Sequence, residues 1–165
     1  MKKSVLAALV CALAIGALLA GCGSGNGEQT VTVSKYAFDL NGVAVAVNAD
    51  MAPLAEALGE PSGYFESESC AFQGLDKVYT YGGVIIRTYP QDGKDYVLSV
   101  ELKDDTVPTR EGVTIGADRQ DVLAAYGQPG DETAGALRYV DGDCTLAFIF
   151  TDDTVTGITY TSDAA

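Results

Sequence analysis

One spaced pattern occurs twice in this chain, and a chain that repeats itself is confined to folds in which two like units share a core. At a separation of 68 residues, Val45-Ala46-Val47 matches Val113-Thr114-Ile115, Asp50 matches Asp118, and Leu54 matches Val122. Ala57, Leu58, Gly59 and Pro61 then match Ala125, Tyr126, Gly127 and Pro129. Each position has a physical role. An aspartate caps the first free amides of a helix, and apolar residues four and eight positions further on share one helical face. A glycine accepts the left-handed backbone that ends the helix before a proline. Each unit reads as a strand followed by a helix of about two and a half turns.

Beyond the helix the correspondence resumes at 59 residues, where Thr80-Tyr81-Gly82-Gly83 parallels Tyr139-Val140-Asp141-Gly142. Apolar strands follow, Val84 to Tyr89 and Cys144 to Phe150. A polar turn comes next, Gln91-Asp92-Gly93-Lys94 or Thr151-Asp152-Asp153-Thr154, and then a strand, Tyr96 to Leu102 or Val155 to Tyr160. The pattern predicts an α+β protein of two tandem units, residues 31–106 and 107–165, each a short helix packed on a three-stranded antiparallel β-meander. An N-terminal β-hairpin precedes the first helix, because Asn41-Gly42 separates apolar alternations over Val31 to Leu40 and Val43 to Val47 and both turn residues accept positive φ. The drop from 68 to 59 leaves nine extra residues in the first unit between Pro61 and Tyr79, and Cys70 lies in that insertion.

The N-terminus predicts the address. Met1-Lys2-Lys3 is followed by an uncharged apolar run from Val5 to Leu19, too short for a stable transmembrane helix, and then by Leu19-Ala20-Gly21-Cys22. This reads as a lipoprotein signal peptide over 1–21 ending in a lipobox, with lipid on Cys22; the alternative is an ordinary secretory signal beside a chance cysteine. Gly23 to Thr30 is glycine-rich and polar, so 22–30 is a flexible tether. Cleavage leaves 144 residues, enough for one ordinary domain or two small units, at a formal charge of −15. That charge excludes nucleic acid as a partner, since phosphates need basic neighbours. Diacyl anchoring holds the chain on a membrane without electrostatic help, on the extracytoplasmic face, which is the outer membrane if the host has two. In that compartment Cys70 and Cys144 are expected to form a disulfide, two separate buried thiols being the other reading.

The second unit, from Ile115-Gly116-Ala117-Asp118 through Tyr126-Gly127-Gln128-Pro129 and on to Thr145-Leu146-Ala147-Phe148-Ile149-Phe150, resembles the SmpA/OmlA type of small envelope lipoprotein. Two such units in tandem also resemble the β-lactamase inhibitor protein superfamily. The resemblance covers roughly residues 43 to 162 and implies a helix on a sheet in each unit. It implies an envelope assembly or structural role, or inhibition of a secreted hydrolase, and carries over no binding residue.

Catalysis finds little to work with. The chain has no histidine, which rules out Ser-His-Asp and Cys-His arrangements. A carboxylate pair is the one remaining acid and base device, so the chain reads as a non-enzyme without metal or cofactor. Asp104-Asp105, Asp141-Gly142-Asp143 and Asp152-Asp153 lack the spacing of a calcium loop and read as solvated turns. The candidate partner-binding residues are aromatic: Tyr64 and Phe65 in the insertion, and Tyr79, Tyr81, Tyr89 and Tyr96 on the first unit's strands. Alternation puts Tyr79 and Tyr81 on one face and is expected to bring in Tyr89 across the hairpin, either to cover the core or to line a docking face. Asp92, at the tip of the Gln91 to Lys94 turn, is a further candidate. The expected function is a membrane-anchored, non-catalytic module that binds an envelope or secreted protein.

Overall fold

The computed structural model describes residues 34–164. The signal peptide, Cys22 and the tether lie outside the described residues, as do Val31 and Val33. The protein is α+β, and the described residues form two short helices, a two-stranded hairpin and one eight-stranded antiparallel sheet.

The hairpin forms where expected but is shorter. Strands β1 (Phe38–Leu40) and β2 (Val43–Val45) pair across Asn41 at φ 55° and Gly42 at φ 84°, the backbone a tight two-residue turn requires. Helix α1 (Met51–Leu58) begins at Asp50, whose Oδ1 accepts from the Ala52 amide at 3.0 Å. Helix α2 (Arg119–Tyr126) begins at Asp118, whose amide donates to Asp121 Oδ2 at 3.3 Å. Asp121 also stands in the first turn, where a carboxylate complements the helix dipole. Gly59 and Gly127 end the helices at positive φ, 77° and 74°, but with ψ at −159° and −151° rather than in the left-handed helical basin, so the chain leaves each helix extended. Their amides still close the last turn on Ala55 and Leu123.

The segments before the two helices differ from expectation. Val113-Thr114-Ile115 forms no strand. Instead, short backbone pairings seat each helix start on the sheet. The Asn48 amide donates to the Val97 carbonyl and the Val97 amide to Ala49; Gly116 and Ala117 make the same two bonds with Val155, all at 2.7–2.9 Å.

The meanders are longer than predicted. In the first half, β4 (Leu75–Tyr81), β5 (Val84–Gln91) and β6 (Lys94–Leu102) are joined by β3 (Gly63–Glu68), so the insertion carrying Tyr64 and Phe65 is an edge strand. In the second half, β8 (Ala136–Asp141), β9 (Cys144–Thr151) and β10 (Thr154–Ser162) are joined by the three-residue β7 (Asp131–Thr133). Corresponding strands start 60 residues apart, at Val84 and Cys144 and again at Lys94 and Thr154, one more than the sequence spacing suggested. The two halves form one sheet of order β3-β4-β5-β6-β10-β9-β8-β7, because β6 and β10 pair from Leu102↔Ile158 to Ser99↔Thr161.

The pairing registers run straight across this sheet. One row holds Tyr64, Tyr79, Ile86, Val100, Tyr160, Leu146 and Tyr139, and its neighbour Tyr81, Val84, Leu102, Ile158, Phe148 and Leu137. Residues directly opposite share a face. From Ile86 and Val84 onward these side chains are buried, and Met51, Val122 and the hairpin's Phe38 and Val45 join them in a single core. The alternate row, Phe65, Val78, Arg87, Ser99, Thr161, Thr145 and Val140, lies on the opposite face. Both helices and the hairpin pack on the first face.

Replacing Gly127 by alanine meets no atom within 4 Å, so any cost comes from the backbone alone. With φ 74° and ψ −151° it should lower stability by about 1–3 kcal/mol. Gly135→Ala, equally open and without positive φ, should stay within about 0.5 kcal/mol. Urea unfolding of the two variants checks this; equal effects would rule out the backbone explanation.

Candidate functional site

Two places gather the aromatic candidates, and they differ in exposure. On edge strand β3, Tyr64 and Phe65 are 52% and 62% exposed and point to opposite faces by alternation. The Tyr64 hydroxyl donates to Glu66 Oε2 at 2.5 Å, and that bond to a carboxylate pushes its pKa well above the ordinary tyrosine value. Its ring leans on Tyr79 at a centroid distance of 5.1 Å. Beside it, in register with Glu66, Lys77 forms a half-buried ion pair with Asp95 at 2.7 Å. The outer side of this edge has no partner strand among the described residues.

Tyr79 and Tyr81 are opposite Ile86 and Val84, both fully buried, so these two tyrosines flank the core. Burial raises the pKa of both. The Tyr81 hydroxyl has no hydrogen-bond partner, alone among buried side-chain polar atoms of the described residues. Tyr89 does not join their row: Thr88, in register with Lys77, shares the phase of Tyr79 and Tyr81, while the pairing of β5 with β6 shifts register between Arg87 and Thr88. Tyr89 is instead buried between Phe72 and Tyr96, with ring centroids 5.0 and 5.8 Å away.

Tyr89 and Tyr96 belong to the second place, a cleft of about 630 Å³ between the 34–48 segment, the β5–β6 hairpin and the β8–β9 turn. Its floor is Asn48, which sequence reasoning missed. Asn48 stands at φ 62°, and its Oδ1 accepts from Tyr89 Oη at 3.1 Å and Ser162 Oγ at 2.5 Å, tying both halves of the sheet to the strap between hairpin and helix. An asparagine among valines and alanines is the only sequence signal for this role. At the rim, Asp141 accepts from Ser34 Oγ at 3.1 Å and the Lys35 amide at 2.8 Å. The Lys35 amide holds the Asp141 carboxyl below the usual range. Asp92 and Gly93 form the expected tight turn at φ 52° and 76°, and neighbouring Lys94 pairs with Asp50 at 2.9 Å, so the tip is bound to the start of α1.

Cys70 and Cys144 stand as separate thiols in this structure, the first exposed and the second buried. The connection after β3 closes on itself: the Ser69 amide donates to the Gly74 carbonyl at 3.0 Å, and the Phe72 amide to Ser69 Oγ at 3.1 Å. This folding turns Phe72 inward onto Tyr89 and leaves Cys70 exposed. Cys144 is enclosed at the start of β9 opposite Ser162, and burial pushes its thiol pKa up.

Among the described residues no group of three or more His, Cys, Asp or Glu side chains stands close enough to hold a metal ion. No helix among them is long and apolar enough to cross a membrane. Comparisons with protein-family models, curated proteins and solved structures find no match to this chain.

Two outcomes follow. In native protein an alkylating reagent should modify Cys70 rapidly and Cys144 slower by on the order of a hundredfold, read by peptide mapping, because Cys144 must wait for local opening. Equal rates would mean that β9 is not closed at Cys144. Second, Asp50, Asp104 and Asp141 are all held below the ordinary aspartate value of 3.8, by the Lys94 ammonium, the Thr106 hydroxyl and the Lys35 amide respectively. A depressed native pKa means the unfolded chain binds more protons in acid. The stabilisation is therefore present at neutral pH and lost as pH falls below about 4. Asp50→Asn should flatten the acid limb of a urea-midpoint against pH curve.

Proposed function

We propose that the protein is a lipid-anchored, non-catalytic protein-binding module of the bacterial cell envelope, held on the extracytoplasmic face of a membrane through Cys22. The observation that carries the binding reading is the pairing of Tyr64 and Phe65, the two most exposed large aromatics among the described residues, on one open sheet edge. Tyrosine and phenylalanine at such a site contribute large contact area at small entropic cost. The lack of histidine supports a non-catalytic role. The anchor rests on Leu19-Ala20-Gly21-Cys22 after a charged start and an apolar run. The module is two tandem units, a reading supported by matched helix ends at Asp50 and Gly59 and at Asp118 and Gly127. The same two backbone bonds at Val97 and Val155 also support it. Its partner is an envelope or secreted protein.

A second reading is inhibition of a secreted hydrolase. It is favoured by the sheet face bearing Arg87, Ser99, Thr161 and Thr145, which neither helix nor the hairpin covers. The two readings separate by partner identity. A photo-crosslinking residue at Phe65 should capture one dominant envelope protein in cells, whereas the inhibitor reading predicts capture of a hydrolase at Thr161. No crosslink at either position, with efficient labelling of a known control, would overturn protein binding. For the anchor, an alkyne fatty acid should label the wild-type chain, and Cys22→Ser should abolish both that label and membrane retention.

A further inference from the structure

The two edges of the eight-stranded sheet are unlike. One is β7, three residues long; the other is β3, with six residues, no proline, no lysine and no bulge in its pairing with β4. Proline, lysine, bulges and shortness are among the devices by which sheets discourage a further strand, and β3 has none of these four; its charges are the two glutamates, which repel another acidic strand and leave a basic one free to pair. Its two faces also differ in chemistry. Alternation sets Glu66 and Glu68 on the side of Tyr64, and Phe65 and Ser67 on the other. Five of the six residues are exposed, so backbone and side chains are open together.

We infer that β3 is a docking edge that takes an extended basic segment of a partner protein as a ninth strand, with basic and apolar residues alternating. This rests on the protein-binding reading and names its mode. Residues of an added antiparallel strand face those opposite them at about 5 Å. Basic side chains thus meet Glu66 and Glu68 on one face while apolar ones cover Phe65 on the other. Main-chain hydrogen bonds supply affinity, and this alternation supplies specificity. A second copy of this chain is a poor occupant, because two β3 strands side by side gather four glutamates along one seam in a protein of formal charge −13.

The test uses the lipidated protein in nonionic detergent with three labelled hexapeptides: alternating lysine and valine, the same composition in two blocks, and alternating glutamate and valine. The alternating basic peptide should bind, and at least about tenfold more tightly than either control. Bound peptide should slow hydrogen exchange at alternate β3 amides, those facing outward. Glu66→Lys combined with Glu68→Lys, at two exposed sites, should weaken binding by roughly tenfold or more with unchanged circular dichroism, and added salt should weaken it in the wild type. Equal binding of the block peptide, or protection of amides outside β3, would overturn strand addition. Absence of binding by all three, together with capture of a partner at Phe65 in cells, would overturn strand addition while leaving protein binding intact. Absence of both would overturn both.

Discussion

The structure depends on the antiparallel seam between β6 and β10. It is short, Ser99 to Leu102 against Ile158 to Thr161, and joins parts of the chain nearly sixty residues apart. Val100, Leu102, Ile158 and Tyr160 are all buried along it, so the seam carries core packing as well as backbone hydrogen bonds. Without it, each half would be a four-stranded sheet with one two-turn helix, too little apolar burial to offset the entropy of ordering. With it, the two rows of core side chains become continuous from β4 to β8.

That continuity creates a space which two short helices cannot fill, and the N-terminal hairpin fills it. Phe38 is fully buried against Tyr160 at 5.7 Å, directly over the seam. Tyr36 packs near Tyr126 and Tyr139, and Phe148 completes that aromatic cluster under α2. The Tyr126 hydroxyl donates to Glu111, which secures the outer end of the helix to the connection that precedes it. Asn48 then locks the strap by accepting from Tyr89 on β5 and Ser162 on β10. The cleft at this point is the seam where hairpin and sheet meet, and its polar floor serves the packing first.

Surface chemistry follows from the same geometry. All covering elements pack on one face, so Arg87, Glu101, Lys103, Arg138 and Asp131 meet water on the other as exposed ion pairs of small energetic weight. The nine tyrosines and five phenylalanines of the chain divide accordingly. Those in register with buried strands serve the core, Tyr79 and Tyr81 included. On β3, Tyr64 lies beyond the last helix that could shelter it and Phe65 points to the uncovered face, which is why both remain available for contact.

Much of this was legible in the chain. Helix starts at Asp50 and Asp118, stops at Gly59 and Gly127, and turns at Asn41-Gly42, Asp92-Gly93 and Asp152-Asp153 each follow from what one or two residues can do with their own backbone. The apolar runs Val84 to Tyr89 and Cys144 to Phe150 likewise marked two strands. Tertiary structure decided the rest, because it depends on which segments meet. The insertion became a strand only through pairing with β4, and Val113 to Ile115 has no partner strand of the kind that β1 gives its counterpart Val45. Tyr89 falls outside its expected row because pairing with β4 puts Thr88, two residues on from Ile86, in phase with Tyr79 and Tyr81. Cys70 faces water because Phe72 wins the contact with Tyr89. Local conformational preference is written residue by residue; partnership between distant strands is a property of the packed whole.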